Sequence, residues 1–167
     1  FFKRILNMDI KFKQAQVSDA ATVTTLRQQI WATTYRGIYN SKLIDEYDFE
    51  AHKQKDIDKI TGVQYDVFIV VADGLSAGYF ILQCAPNAYI QSLYLLKKYQ
   101  HQGIGKRVFN HIKAYFAEHN IKQFECHCNT HNTPAQQFYR AMGGRETARS
   151  YNHINKRDDQ ITYLFTI

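Results

Sequence analysis

Long apolar runs are missing from this sequence. No uninterrupted stretch approaches the roughly 20 residues that a membrane-spanning helix needs, so we expect a soluble chain. Proline is scarce, with two in 167 residues. There is also no Pro/Gly/Ser-rich linker, low-complexity tract or internal repeat, and the chain reads as one continuous folding unit. Cysteine is both rare and odd in number: Cys84, Cys126 and Cys128. The last two lie too close along one expected strand to bridge comfortably, which argues against a disulfide framework and for a reducing cytoplasm. Acidic residues are in deficit, 15 against 21 Lys and Arg, leaving a formal charge of +6 that favours anionic partners without choosing among them.

What is present is enough to build a core. A composition 45% hydrophobic and 14% aromatic lies in the globular range and far from the disordered one, and the length suits one ordinary domain. We expect that domain to span residues 8–167, with Met8 as a natural start. The opening "FFKRILN", residues 1–7, is too short for a signal peptide with its cleavage site and reads as an extension or a remnant of expression.

Periodicity then places the elements. Ile10 to Gln14 suits a short strand. Ser18 offers an N-cap for a helix running to about Tyr35, with Val23, Leu26, Ile30 and Trp31 on one face. The polar stretch 36–60 suits a loop with one or two short helices. "YDVFIVVADGLSAGYFILQ" is two β-rich runs joined by Asp73-Gly74, a strong hairpin signal. "AYIQSLYLL" reads as a further strand, followed by an amphipathic helix marked by Ile104, Val108, Ile112, Tyr115 and Phe116. "KQFECHC" is another strand. "NTPAQQFYRAMGG" is a helix with Thr133 as N-cap, Pro134 at its first position, Gln136 closing a capping box, Gly143 as the stop, and Ala135, Phe138 and Met142 as a buried stripe. "GRETARS" and "QITYLFTI" form a closing strand pair. The expected fold class is mixed α/β, a mostly antiparallel sheet flanked by helices.

The chemistry concentrates at "QHQGIGK", Gln100 to Lys106. Glycines at 103 and 105 let backbone N–H groups approach a ligand, and the helix that opens there turns its positive end toward anions. Lys97, Lys98, Lys106, Arg107 and Lys113 surround the bend with no acidic residue before Glu118. A lone G-x-G is also compatible with a plain helix start. A P-loop is excluded, because one residue separates the glycines and Arg107 follows Lys106; a dinucleotide loop would need Gly or Ala where Val108 stands.

The pattern Q/R-x-x-G-x-G/A after "LYL", followed some thirty residues on by "NTPAQQFYRAMGG", resembles the GNAT superfamily of acetyl-CoA-dependent N-acetyltransferases, small bacterial members in particular. The resemblance runs from about Met8 to the C-terminus, since "WATTYRGIYNSKLIDEY" also looks like the acceptor-side helices of such proteins. It implies a twisted sheet whose central strands splay apart to admit acetyl-CoA as co-substrate. It further implies that backbone groups of Leu93 and Leu95 pair with pantetheine, and that Gln100, His101, Gln102, Gly103, Ile104, Gly105 and Lys106 wrap the pyrophosphate. Asn132 would bond to the pantetheine arm, and Tyr139 would stand near the cofactor sulfur and protonate the departing thiolate. The implied reaction is direct attack of a primary amine on the thioester, with no acetyl-enzyme and no part for the cysteines.

The sequence departs from the pattern at Gln91, where many relatives carry a Glu that serves as base. An amide cannot take a proton that way, and an alkylammonium of pKa about 10.4 must lose one before it attacks. Water relayed past Tyr35, Ser92 or His127 is one route, and Tyr35 and Gln91 are candidate contacts of the acceptor. "CHCNTH" offers Cys126, His127, Cys128 and His131 as potential metal ligands, but strand alternation separates His127 from the two cysteines and no second ligand pair exists, so no metal is expected. Asp45, Glu46, Asp48 and Glu50 form an acidic cluster able to attract a cationic amine, or simply a solvated helix face. The expected partner is a small-molecule or peptide amine, with neither nucleic acid nor membrane, and a homodimer is compatible with the chain. Two other readings carry discriminating features: a non-catalytic acyl-CoA-binding regulatory module, supported by Gln91, and a nucleic-acid binder, supported by the charge but lacking a recognisable recognition motif.

Overall fold

Strand alternation sorts the apolar residues into two layers. The computed structural model describes residues 8–152 and 154–167, so the segment 1–7, expected to be an extension, lies outside the described residues. Along the chain run β1 (Ile10–Gln14), α1 (Ala20–Thr34), α2 (Ser41–Asp45), α3 (Phe49–Thr61), β2 (Asp66–Ala72), β3 (Leu75–Gln83) and β4 (Tyr89–Leu95). Then follow α4 (Ile104–Glu118), β5 (Gln123–Asn129), α5 (Thr133–Ala141), β6 (Arg145–Ser150) and β7 (Gln160–Thr166). The seven strands form one sheet in the order β1-β2-β3-β4-β5-β7-β6.

Val67, Ile69, Tyr79 and Ile81 pack on one face against Val23, Leu26 and Ile30 of α1. Their alternates Phe68, Val70, Phe80 and Leu82 pack on the other with Phe109, Ile112 and Phe116 of α4 and with Phe124 and Phe165. Burying an aromatic or aliphatic side chain of this size contributes about 1.5–3 kcal/mol, so the two layers supply the main favourable term. The hairpin expected at Asp73-Gly74 forms, with both residues at positive φ (48° and 81°), the twist that a two-residue turn between strands requires.

Two helix starts differ from expectation. Ser18 lies inside a 3-10 turn, Val17–Asp19, and α1 begins after Asp19 instead. The Asp19 carboxylate takes the Gln16 N–H at 2.9 Å and the Lys13 ammonium at 2.7 Å, a charge-assisted anchor that the hydroxyl of Ser18 cannot match. At α5 the cap is Asn132, whose Oδ1 accepts the Ala135 N–H at 3.3 Å, so Thr133 is already helical and Pro134 falls in the first turn. Gln136 closes no capping box. It is buried, and its amide donates to the Thr130 carbonyl at 2.7 Å, tying α5 to the end of β5. Ala135, Phe138 and Met142 pack only partly buried against the core, while Tyr139 between them is the buried aromatic.

Candidate active site

All neighbouring strands run antiparallel except β4 and β5, which run parallel and pair at Tyr89↔Glu125 and Ile90↔Cys126. Beyond Ile90 they part. A bulge helps them do so: Ile90 pairs with Leu82 and Ser92 with Ile81, so Gln91 is the extra residue on its strand. The Leu96 N–H donates to the Ala77 carbonyl at 2.9 Å. With Leu95 opposite Gly78, that bond makes 78–95 a non-bonded pair, and so is 80–93 two residues on. The main-chain N–H and C=O groups of Leu93 and Leu95 therefore face the gap. The Leu95 carbonyl takes the Gln100 amide at 3.0 Å, which fixes the exit from β4.

The gap opens into a cleft of about 700 Å³. Its lining gathers Tyr35, Gln91, Leu93, Leu95, Gln100, His101, Gly103, Gly105, Lys106, Asn132 and Tyr139 from the sequence-predicted set. Gln102 and Ile104 are not part of the lining. The Gln102 amide donates to the Lys98 carbonyl, and the Ile104 side chain is buried in the core, so neither offers the cleft a side chain.

The two glycines of the bend are there for different reasons. Gly103 caps α4 with φ 77°, a left-handed conformation, and its Cβ position meets open space. Gly105 has ordinary backbone angles, but a Cβ there would approach Phe138 Cε2 to 3.1 Å, so its missing side chain lets α4 and α5 pack closely. Of the five basic residues near the bend, Lys97 and Lys106 line the cleft, whereas Arg107 turns away and donates to the Met8 carbonyl at 3.1 Å. Among the described residues no Asp or Glu lines the cleft, so this end is a positive, donor-rich cradle suited to an anion.

The other end is aromatic. Burial, and secondarily the neighbouring Cys126 and Cys128 thiols, hold the Tyr139 phenol well above its usual range. The Tyr35 and Tyr94 hydroxyls meet at 2.7 Å, and burial raises both. These groups are donors at neutral pH. Burial also pushes the Cys128 thiol up to about 12, so the cysteine on this wall is a poor nucleophile. The Gln91 Oε1 accepts the Ser92 hydroxyl at 2.8 Å. Cys126 and Cys128 are buried on one face of β5 while His127 is exposed on the other, as alternation predicted. No group of three or more His, Cys, Asp or Glu among the described residues is placed to hold a metal ion.

The acidic cluster does not reach this cleft. Asp45 pairs with Arg36 at 2.7 Å, Asp48 caps α3 through the Ala51 N–H, and Glu50 pairs with Lys53 at 2.7 Å. The sequence reading weighed His131 only as a potential metal ligand and gave it no place at this site. His131 lines the cleft next to the Asn132 cap, with its Nε2 2.8 Å from the Asp159 carboxylate.

A family model described as "Acetyltransferase (GNAT) family" matches residues 28–143. No curated protein matches the chain by sequence. Among solved structures the chain is similar to the PaiA N-acetyltransferase of Thermoplasma acidophilum in complex with coenzyme A, with a TM-score of 0.82, 20% identity, and 95% of this chain and 99% of that chain covered. It is also similar to the Salmonella typhimurium acetyltransferase that modifies the N-terminal serine of ribosomal protein L7/L12, with a TM-score of 0.75, 16% identity and 95% of each chain covered. A third likeness is to the ribosomal-protein-S18-alanine N-acetyltransferase of Escherichia coli, with a TM-score of 0.73, 16% identity, and 95% and 94% coverage. At these identities the likeness is one of fold.

Proposed function

Because the chain belongs to the acetyltransferase (GNAT) family, we propose that it transfers the acetyl group of acetyl-CoA directly to a primary amine. The observation that carries this reading is the parting of β4 and β5 after Ile90, which leaves the Leu93 and Leu95 main chain facing a cleft with a glycine bend at one end and Tyr139 at the other. An extended pantetheine arm fits such an edge as an additional strand, bonding through amides as a peptide would. The pyrophosphate lies on the N–H groups of the bend, with Lys97 and Lys106 adding charge. Gln100 and Asn132 shape the two ends of the arm's path, the first by holding Leu95 and the second by capping α5.

The amine approaches from the Tyr35 and Gln91 side and attacks the thioester carbon. Main-chain N–H groups of β4 stabilise the charge that develops on oxygen. The C–S bond breaks, and the sulfur takes the Tyr139 proton, which burial has kept on the phenol. Coenzyme A bound to the T. acidophilum neighbour supports the co-substrate, and the N-terminal serine modified by the S. typhimurium neighbour supports the acceptor class.

Titration calorimetry with acetyl-CoA tests the reading. Charge reversal at Lys97 and Lys106 is a cleaner probe than a side chain at Gly105, which would push against Phe138. The wild type should bind, and Lys97→Glu/Lys106→Glu should bind at least tenfold more weakly. Equal affinities would remove the bend from the binding site. Binding without turnover over a broad amine panel would favour a regulatory acyl-CoA-binding module.

A further inference from the structure

Among the described residues lining the cleft there is no carboxylate, Gln91 is an amide, and the phenols are held protonated by burial. The Lys97 and Lys106 ammonium groups stand at the anion end and are proton donors. His101 lies on the glycine bend at that same end, which leaves two imidazoles away from it, His127 and His131. His127 is exposed on β5 and stacks beside Tyr89 at 6.2 Å, with no hydrogen bond among the described residues. His131 is held at two points. Its N–H donates to Asn129 Oδ1 at 2.9 Å, and buried Asn129 is itself fixed by donating to the Lys156 and Arg157 carbonyls. Its Nε2 meets Asp159 Oδ2 at 2.8 Å, and Asp159, only 5% exposed, accepts the Asn152 N–H on its other oxygen at 2.6 Å.

We propose that His131, oriented by Asp159, is the base that takes the proton of the acceptor amine, the part that Gln91 cannot play. The inference rests on the amine-acetylation reading above. A carboxylate accepts hydrogen bonds, so the proton of the neutral imidazole sits on Nε2 and the lone pair on Nδ1, which has no hydrogen-bond partner among the described residues. This is the division of labour of a His–Asp pair without a serine: one nitrogen is fixed by the carboxylate, which also stabilises the imidazolium, and the other handles the proton. The side chain is 36% exposed, so the imidazolium can return its proton to water after each turnover.

The proton count closes. The ammonium gives one proton to Nδ1 and becomes nucleophilic. The C–N bond forms, the C–S bond breaks, and Tyr139 gives its proton to the thiolate. The second proton of the attacking nitrogen restores the Tyr139 phenol. Amide and CoA thiol leave, and the proton carried by His131 passes to solvent. The groups whose charge bears on this step are Asp159 on the loop before β7, His127 and Cys128 on β5, Tyr35 on the α1 end and Tyr139 on α5; burial keeps the thiol and both phenols neutral.

The test compares wild type, His131→Gln and Asp159→Asn on amines of falling basicity: n-butylamine, glycinamide and trifluoroethylamine. In Asp159→Asn the amide can donate to Nε2, which moves the lone pair of the ring to the wrong nitrogen while preserving its shape. For n-butylamine kcat/KM should fall about 10²-fold in both variants, in the range that general base catalysis contributes. The loss should shrink toward nothing for trifluoroethylamine, which is already neutral at pH 7, while acetyl-CoA affinity by calorimetry stays within twofold of wild type. A loss equal for all three amines, or no loss, overturns the base role and leaves the acetyltransferase reading standing. A wild type that binds acetyl-CoA yet acetylates none of the amines overturns both together.

Discussion

Tyr139 shows how one side chain is prepared for a task by what surrounds it. The α5 helix places it between Phe138 and the buried sulfurs of β5, where a charged phenolate would be poorly solvated. A phenol whose ionisation is suppressed does not give up its proton alone; it passes it to the departing thiolate as the proton of the attacking nitrogen replaces it. Tyr139→Phe should therefore lower kcat by about 10²-fold while leaving acetyl-CoA affinity nearly unchanged, read by steady-state kinetics beside calorimetry. An unchanged kcat would show that water protonates the thiolate. The Gly103 and Gly105 pair makes the complementary point, since neighbouring glycines serve backbone angle in one case and helix approach in the other.

At the scale of elements, α1 and α3 are locked by a buried ion pair. Arg27 donates to both oxygens of Asp56 at 2.6 and 2.7 Å, and the Thr24 hydroxyl adds a third bond at 2.8 Å. Asp56→Ala should destabilise the fold by about 3–5 kcal/mol in denaturant unfolding, because it strands a buried guanidinium. Replacing both partners together, as Arg27→Met/Asp56→Leu, should recover most of that loss. A double variant no better than the single one would mean that the pair sets the helix geometry as well as its stability. Neither residue announced this pairing in the sequence, because α1 read there by its apolar face alone and residues 36–60 as a polar loop with one or two short helices. The hairpin, the glycine-capped α4 and the closing strands were legible, since each rests on local periodicity or on a turn residue with one conformational use. The helix caps were misplaced by a residue where a carboxylate or an Asn outcompeted a neighbouring hydroxyl. The cofactor end of the cleft was legible as a motif, but His131 with Asp159 was not. Their 28-residue separation is bridged by a strand pairing, and the Asx-rich loop that delivers Asp159 looks like any solvated turn.

For the molecule as a whole, buried phenols make alkali the more damaging side of the pH range. Burial raises Tyr79 to about 12, and Tyr35, Tyr94 and Tyr139 are raised as well. A folded value above the unfolded one of about 10 means the native state holds its protons longer. The associated stability is fully present below pH ~10 and is lost as pH rises through it toward the folded values. Denaturant midpoints measured from pH 8 to 11 should fall steeply above pH 10, together with late tyrosinate absorbance; a flat profile would mean these hydroxyls reach solvent. The parted strands carry a different consequence for folding. β1 to β4 and β5 to β7 share two paired positions, so the sheet has a seam where native structure opens first. Whatever fills that seam is also a brace between two halves of the protein. At a hundredfold excess over its Kd, acetyl-CoA should add about 2.7 kcal/mol to global stability, and amide exchange at Leu93 and Leu95 should slow more than anywhere else in the sheet.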